Sequence, residues 1–302
     1  MQPRYSVVDN FFPEADRMRS LVDAHFAEPM RHDANRHQIW NYWYVPEIYT
    51  YLRTQPEKIV GPELAQQFFQ HLRRYAFETY GLGKVYWPYL SLYVAGCHQA
   101  LHNDSRGGRL GYVYSLTRWD QRNFAGGETL LFKEGSWSGD QTVADAKGAR
   151  NFYDLIPPQF NRLLVFDDRV PHAVQRLEGT MDPGAGRIVL HGHFAEAGIV
   201  LAGGLAQERF RPAFAKLDAE IKQRVAQLGS QYHGLLVFRL EIAAHGGVER
   251  CTALWDRIYA LDPGAPPFRG DDMAAFLLEQ RFPAVDQSSR MTLPIVIGPA
   301  LA

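Results

Sequence analysis

The part of the chain from about residue 85 to 195 constrains the fold more than any other. It consists of short runs of β-branched and aromatic residues, separated by clusters of glycine, proline and asparagine. Many short strands with turn signals between them are typical of an antiparallel sandwich or barrel. The predicted strands are Tyr89–Val94, Leu110–Leu116, Glu128–Phe132, Arg162–Phe166, His172–Leu177 and Arg187–Phe194.

A helix is predicted to precede these strands from about Pro62, because apolar residues recur there along one helical stripe. The combination predicts a mainly β fold with flanking helices, whose core is a double-stranded β-helix (jelly roll). Residues 31–56 are rich in aromatic residues and lack a clear period, which indicates loop or short irregular strands. A group of aromatic residues in this segment suggests either a substrate lid or core packing: Trp40, Tyr42, Trp43 and Tyr44.

A different pattern begins near Gly204. Apolar residues follow helical spacing from Phe210 to Leu228, and alternating apolar and polar residues then predict a strand at 236–242. A helix near Asp271–Gln280 and a last strand near Met291–Ile297 would complete a small α+β unit. The predicted organisation is a jelly-roll domain with its N-terminal helices at 1–203, a connecting helix at 204–230 and a C-terminal domain at 231–302.

Charge and composition narrow the expected partners. The net charge of −1 does not favour a nucleic acid or a membrane surface as partner, and no run approaches the ~20 apolar residues of a spanning helix. Only Cys97 and Cys251 are present, so a disulfide framework is not expected and a reducing cytoplasm fits best. We expect a small-molecule or peptide substrate, and the amphipathic helix leaves a homodimer open.

Three residues have the types and order of a metal site. His102 and Asp104 flank a single residue in a His-x-Asp motif, and His172 follows after Pro171. Two imidazoles and one carboxylate form the facial triad of non-haem iron(II) oxygenases, which leaves the opposite face of the metal open. Taken alone, a His-x-Asp motif is more often a solvated surface turn.

Arg187 adds a second element of such a site. It begins the predicted strand that follows His172. A keto-acid cosubstrate with a distal carboxylate requires a buried cation, and arginine offers a planar fork that binds a carboxylate with two hydrogen bonds. The alternative is an arginine at a strand edge in a surface salt bridge.

The ordered combination of these motifs resembles the prolyl-4-hydroxylase-like branch of the 2-oxoglutarate/iron(II) oxygenases over residues 85–195. The segments that carry the resemblance are Tyr93–Gly96, Leu101–Asp104, Gly126–Thr129, Arg162–Asp167, Pro171-His172 and Arg187. The resemblance implies a double-stranded β-helix and a dioxygenase that uses iron(II), 2-oxoglutarate and O2. It implies that His102, Asp104 and His172 bind iron, and that Arg187 binds the C5 carboxylate of 2-oxoglutarate.

Strand alternation extends the set of candidate residues, because every second side chain lies on the same face. Tyr93 is expected to face into the barrel and contact the cosubstrate, or else to be a core residue. One of Tyr112 and Tyr114 is a candidate to hydrogen-bond the cosubstrate, while the other packs. His191 and His193 share the face of Arg187 and are candidates for substrate contact, with satisfied core histidines as the alternative.

Asp104 favours hydroxylation, because related halogenases lack this carboxylate and bind chloride in its place. The expected reaction is hydroxylation of an unactivated C–H bond, with an amino acid or a peptidyl side chain as substrate. Two alternatives remain open: a cupin-type metal-dependent dioxygenase that uses no 2-oxoglutarate, and a non-catalytic binding protein on the same barrel.

The C-terminal residues resemble, more loosely, the C-terminal domain of TonB-type proteins, which would imply protein contact or dimerisation.

Overall fold

The fold is given by a computed structural model, which describes residues 5–27, 40–104, 109–132, 153–205, 207–228, 232–260, 268 and 270–297. The chain forms two compact units, Pro3–Leu72 with Val85–Ala195 and Arg73–Lys84 with Glu196–Ala302. Among the described residues, no helix is both long and apolar enough to cross a membrane.

The elements up to residue 195 alternate short strands with a few helices. The helices are α1 (Ala15–Phe26), α2 (Glu57–Val60) and α3 (Pro62–Tyr80). The strands are β1 (Tyr5–Val8), β2 (Asn41–Val45), β3 (Tyr49–Thr54), β4 (Lys84–Val85), β5 (Tyr89–Tyr93), β6 (His98–His102), β7 (Leu110–Ser115), β8 (Thr129–Phe132), β9 (Tyr153–Ile156), β10 (Leu163–Asp167), β11 (His172–Val174) and β12 (Arg187–Ala195).

The strand order is that of a double-stranded β-helix. Four strands form one row in the order β10-β7-β12-β5, and four others form a second row in the order β6-β11-β8-β9. All of these neighbours are antiparallel. Successive strands alternate between the two rows from β5 to β8 and again from β10 to β12. This alternation is typical of a jelly roll. The predicted fold class is confirmed.

The aromatic segment before α2 is more regular than its sequence indicates. Strands β2 and β3 form an antiparallel hairpin, and β3 also pairs with both β5 and β6. The hairpin therefore joins the two rows of the jelly roll into one curled sheet. In the suggested lid, Tyr42 and Tyr44 are exposed and stack on each other, whereas Trp43 lies on the opposite face of β2.

The helix predicted from Pro62 packs on the outer face of the jelly roll. Its stripe residues Leu64, Phe68 and Leu72 are buried. The ring of Phe68 lies 4.7 Å from that of Tyr114 on β7 and 5.3 Å from that of Phe12. Burying such side chains contributes roughly 1.5–3 kcal/mol each, so this helix stabilises the sheet that carries the cavity described below.

The second unit has its own sheet and core. Strands β13 (Val200–Gly203), β14 (Tyr232–Ile242), β15 (Val248–Ala260) and β16 (Ser289–Ile297) form a sheet in the order β13-β16-β14-β15. Helices α4 (Gln207–Gln227) and α5 (Gly270–Leu278) contribute apolar residues to its core. Residues 196–203, predicted to belong to the first domain, lie in this unit, because β13 pairs with β16.

Candidate metal centre

Two of the predicted metal ligands lie on neighbouring strands of the jelly roll. Strand β11 runs antiparallel to β6, and His172 is the direct cross-strand partner of His102. Because directly opposed side chains lie on one face of a sheet, both imidazoles point the same way. Their ring centroids are 4.3 Å apart.

The predicted carboxylate follows β6 and closes the group. The Asp104 backbone N–H donates to the Asp168 carbonyl oxygen at 2.8 Å, which fixes the chain as it leaves the strand. Asp104 Oδ2 lies 3.3 Å from His172 Nε2, and Oδ1 lies 3.8 Å from His102 Nε2. One ligand atom from each of the three residues lies within 4.8 Å of the others. The structure thus brings together the three residues predicted from their order.

The two histidines are oriented for coordination through Nε2. His102 Nδ1–H donates to the Ala100 carbonyl oxygen at 2.7 Å, and His172 Nδ1–H donates to the Val170 carbonyl oxygen at 2.9 Å. A backbone acceptor at Nδ1 fixes the tautomer and leaves the Nε2 lone pair for a metal. Burial, and next the neighbouring His172, lower the pKa of His102, so this imidazole is neutral at neutral pH.

The Asp104 carboxylate is held in its charged form. Burial raises its pKa, but the hydrogen bond and charge of His172 outweigh burial, so the pKa lies below its ordinary value. Two imidazole nitrogens and one carboxylate are the donor set of the facial triad for iron(II). The residues present therefore fit the metal that the motif predicts.

Arg187 is a buried cation with incomplete hydrogen bonding. Its side chain is 1% exposed, and its Nη2 donates to Thr129 Oγ1 at 3.3 Å. Its Nε and Nη1 have no hydrogen-bond partner among the described residues, and its guanidinium carbon lies 4.6 Å above the Tyr93 ring. Because a buried charge is costly unless it is paired, this geometry fits an incoming anion such as a carboxylate.

The triad and Arg187 line the same cavity. It has a volume of about 280 Å³ and lies between the two rows of strands, within the first unit. His102 and His172 contribute from one row, and Arg187 contributes from the other. This arrangement places a buried cation and a candidate metal-binding group around one half-enclosed cavity.

The three tyrosines predicted from strand alternation are in different places. Tyr93 lines the cavity beside Arg187, as predicted. Tyr112 stacks on Phe194, reaches the margin of the cavity and donates its hydroxyl to the Tyr86 carbonyl oxygen at 3.4 Å. Tyr114 does not line the cavity.

Tyr114 instead packs on Phe68, and its hydroxyl donates to Asn161 Oδ1 at 2.9 Å. Tyr112 and Tyr114 both lie on the outer face of β7, because Gly111 and Val113 occupy its inner face. Tyr114 therefore packs away from the cavity, whereas Tyr112 is among the residues that line it, so contact with the cosubstrate remains a prediction for Tyr112.

The two histidines predicted to share the face of Arg187 both line the cavity. His191 Nε2 is hydrogen-bonded to Ser91 Oγ at 2.8 Å, and burial lowers the pKa of His191 to about 3, so it is neutral. His193 Nε2 lies 3.9 Å from Asp104 Oδ2, at the edge of the triad. Both positions are compatible with contact to a substrate.

The hairpin supplies three cavity residues that the sequence prediction missed, together with Trp43, which was predicted as a candidate lid residue. Tyr49, Tyr51 and Arg53 of β3 all line the cavity, and so does Trp43 of β2. The ring of Tyr51 stacks on that of Tyr93 at 5.0 Å. The spacing of two between residues 49, 51 and 53 was the available signal, because it places all three on one face of a strand.

The Gly126-Gly127 turn supports the buried arginine. Both glycines have positive φ angles, and a Cβ on Gly127 would lie 3.5 Å from the Arg187 Cδ. A Cβ on Gly126 would overlap the carbonyl oxygen of Arg176. The Gly127 backbone N–H donates to the Gln175 carbonyl oxygen at 3.1 Å, which holds the turn in place.

A Gly126→Ala variant is therefore expected to lose more than about 3 kcal/mol of unfolding free energy, because backbone strain and steric overlap add. Gly61→Ala is the matched control, since Gly61 has a similar positive φ of 81° but open space around its Cβ position. That control is expected to lose only about 1–2 kcal/mol. Urea unfolding of both variants measures the difference, and equal losses would contradict the role assigned to the turn.

Comparisons with known proteins give structural matches only. No protein-family model matches the chain, and neither does any curated protein. A prolyl-4-hydroxylase from Pseudomonas putida is 19% identical over 64% of this chain and 92% of its own, with a TM-score of 0.43. A prolyl hydroxylase from Trichoplax adhaerens, in complex with a hypoxia inducible factor peptide fragment, is 15% identical over 64% and 84%, with a TM-score of 0.44.

A third solved structure is SnoN, a non-heme alpha-ketoglutarate-dependent epimerase from nogalamycin biosynthesis. It is 13% identical over 65% of this chain and 77% of its own, with a TM-score of 0.44. The structural neighbours are thus prolyl hydroxylases and another 2-oxoglutarate-dependent enzyme, all at low identity. The TonB-like resemblance of the C-terminal residues finds no support in these comparisons.

Proposed function

We propose that the protein is an iron(II)- and 2-oxoglutarate-dependent dioxygenase that hydroxylates an unactivated C–H bond of an amino acid or a peptidyl side chain. The observation that carries the proposal is the pairing of a His-Asp-His group with a buried, incompletely paired arginine in one cavity. The triad alone fits several metalloenzymes, whereas the arginine adds a requirement for an anionic cosubstrate.

Each group of side chains has a defined part in this reaction. His102, Asp104 and His172 would hold iron(II) on one face and leave the other face to ligands. Arg187 would bind the distal carboxylate of 2-oxoglutarate, with Thr129 beside it to orient the guanidinium. When bound, iron(II) with 2-oxoglutarate and dioxygen supplies the oxidising power, and 2-oxoglutarate leaves as succinate and carbon dioxide.

The walls of the cavity position the substrate and exclude water. Tyr49, Tyr51 and Trp43 present apolar rings beside the triad, and Tyr49 lies 5.1 Å from the His102 ring. His191 stays neutral and hydrogen-bonded, so it offers a polar contact without adding charge. The volume of about 280 Å³ suits small ligands and favours an amino acid or a single side chain. Asp104 favours hydroxylation over halogenation, because its carboxylate would bind iron(II) where a halogenase would bind a halide.

A cupin-type dioxygenase without 2-oxoglutarate would explain the triad but not Arg187. In that reaction the Arg187 guanidinium would interact with Tyr93, Glu128 and Thr129, and its buried Nε and Nη1 would stay without hydrogen-bond partners among the described residues, which is energetically costly. A non-catalytic binding protein would explain neither the Nε2 orientation of both histidines nor their convergence on one carboxylate. The proposed dioxygenase accounts for the buried arginine as well as for the orientation and convergence of the triad residues.

Turnover by the purified protein tests the proposal. Incubation with iron(II), 2-oxoglutarate and a panel of amino acids and peptides is expected to give succinate together with a product that has gained one oxygen atom. Mass spectrometry measures both, and omission of either iron(II) or 2-oxoglutarate should abolish the product. Absence of 2-oxoglutarate binding would exclude this function, whatever the panel contains.

A further inference from the structure

A second arginine lines the cavity, on a strand that lies outside the eight strands of the jelly roll. Arg53 belongs to β3 and is the cross-strand partner of Ser91 on β5, so it shares the inner face with that residue. Its guanidinium carbon lies 3.6 Å from the centroid of the Trp43 ring and 4.4 Å from that of the Tyr89 ring. Two aromatic contacts hold the guanidinium in place and leave its N–H groups as donors.

The charge of Arg53 is not neutralised by the described residues. No ion pair joins it to a carboxylate in the part of the chain that the structure describes, although it interacts with the Tyr51 hydroxyl. Asp104 is the single acidic residue among those that line the cavity, and it belongs to the metal-binding group.

The net charge of the cavity depends on the metal and the cosubstrate that bind in the proposed reaction. The dianion of 2-oxoglutarate would bind Arg187 and iron(II), and Arg187 also interacts with the Glu128 carboxylate. The positive charge of Arg53 would then remain in a half-enclosed cavity, where an unpaired cation attracts an anion strongly.

The two arginines of the cavity contact different aromatic rings. The ring of Tyr93 lies under the Arg187 guanidinium, and Tyr51 stacks on Tyr93 with an interplanar angle of 12°. Arg53 follows on the same strand and face as Tyr51. Tyr93 and Tyr51 thus form a stack of two rings, in which Tyr93 contacts Arg187 and Tyr51 interacts with Arg53.

We propose that Arg53 binds a carboxylate of the substrate, while the Trp43 and Tyr89 rings contact the carbon atoms next to that carboxylate. This inference rests on the proposed function and narrows its substrate class. The substrate is an organic acid with a free carboxylate, such as a free amino acid or the C-terminal residue of a peptide, because an internal peptide residue has no backbone carboxylate.

Benzoate and its neutral isostere benzamide are suitable probes, because both are flat and differ mainly in charge. Their binding is measured by calorimetry to protein loaded with zinc(II) and saturated with 2-oxoglutarate, so that Arg187 is occupied. Wild-type protein is expected to prefer benzoate. Arg53→Gln is expected to weaken benzoate binding about ten- to a hundredfold and leave benzamide unchanged, since a charge-assisted hydrogen bond is lost.

Arg122→Gln is the matched control. Arg122 also stacks on a tryptophan, with its guanidinium carbon 3.9 Å from the Trp119 ring, but it does not line the cavity. Its substitution is expected to change the affinity for neither probe. Arg53→Lys keeps the charge and loses the planar fork, so a benzoate affinity between those of wild type and Arg53→Gln is expected.

Three results would overturn the inference. These are equal binding of the two probes by wild-type protein, unchanged benzoate affinity in Arg53→Gln, and a benzoate preference that disappears without zinc but not without Arg53. The affinity for 2-oxoglutarate, measured in the same samples, tests the proposed function separately. If 2-oxoglutarate binds normally while the benzoate preference is absent, the proposed function stands and only the role of Arg53 fails.

Discussion

An Arg187→Met variant is expected to bind 2-oxoglutarate about two to four orders of magnitude more weakly than the wild-type protein. The expected loss corresponds to roughly 3–5 kcal/mol, the usual cost of breaking a buried charge pair by removing one partner. Methionine retains most of the length and apolar volume of the arginine stem, so the cavity should keep its shape. Calorimetric titration of zinc-loaded protein with 2-oxoglutarate measures the change.

The same variant is expected to lose no stability in the absence of ligand, although it loses affinity for 2-oxoglutarate. Without ligand, the Arg187 guanidinium is buried and only partly hydrogen-bonded, so its removal should leave the unfolding free energy unchanged or raise it. Saturating 2-oxoglutarate should then stabilise the wild type but not the variant, because a ligand stabilises only the form that it binds. Unchanged 2-oxoglutarate affinity in Arg187→Met would favour the cupin-type reaction, in which this residue has no anion to bind.

Substitution of His172 by alanine is expected to lower the affinity for iron(II) or zinc(II) by more than about a hundredfold. Changing a residue that only orients a metal ligand commonly costs ten- to a hundredfold, and removing a ligand should cost more. Metal content after dialysis against a weak chelator measures the loss, and 2-oxoglutarate-dependent turnover should disappear with it.

His98→Ala is the matched control for this substitution. His98 lies on the same strand as His102, and its Nδ1–H also donates to a backbone carbonyl oxygen two residues earlier, but it is not part of the triad. Its substitution should leave the metal content unchanged. If His172→Ala retained metal as well as His98→Ala does, the assignment of the metal centre would be wrong.

The metal-binding group and Arg187 could be predicted from the sequence because their geometry follows from local rules. A His-x-Asp motif at the end of one strand and a histidine at the start of another give a compact site once the two strands pair. Arg187 begins the strand that follows, and alternation then placed His191 and His193 on its face. The His-x-Asp motif alone was a weak signal, and the roles of these residues were inferred from the resemblance of the ordered motifs to a known family.

The orientation of β7 could not be predicted in this way. Alternation divides a strand into two sets of side chains but does not say which set faces inward. Strand β7 is covered on both faces, by α3 on the outside and by the walls of the cavity on the inside. The positions of Tyr112 and Tyr114 in the sequence therefore did not indicate which face they occupy. The sequence therefore left both tyrosines as candidates for one cosubstrate contact, and the structure shows that Tyr114 packs on Phe68 while Tyr112 reaches the cavity.

The hairpin and the boundary of the second unit depend on contacts between distant residues. Strand β2 has aromatic residues on both faces, so it shows no alternation of apolar and polar positions. Strand β13 has four residues, and its partner β16 follows almost at the end of the chain. Pairings of this kind are specified by the whole fold and not by the composition of either strand.

The hairpin formed by β2 and β3 separates two sets of cavity residues along the chain. His102 and His172 lie on β6 and β11, and Asp104 directly follows β6. Trp43 and Arg53 lie instead on an earlier, continuous stretch of 14 residues that ends with β3. A library of variants confined to this short stretch would therefore change one wall of the cavity and leave the three candidate metal ligands unaltered.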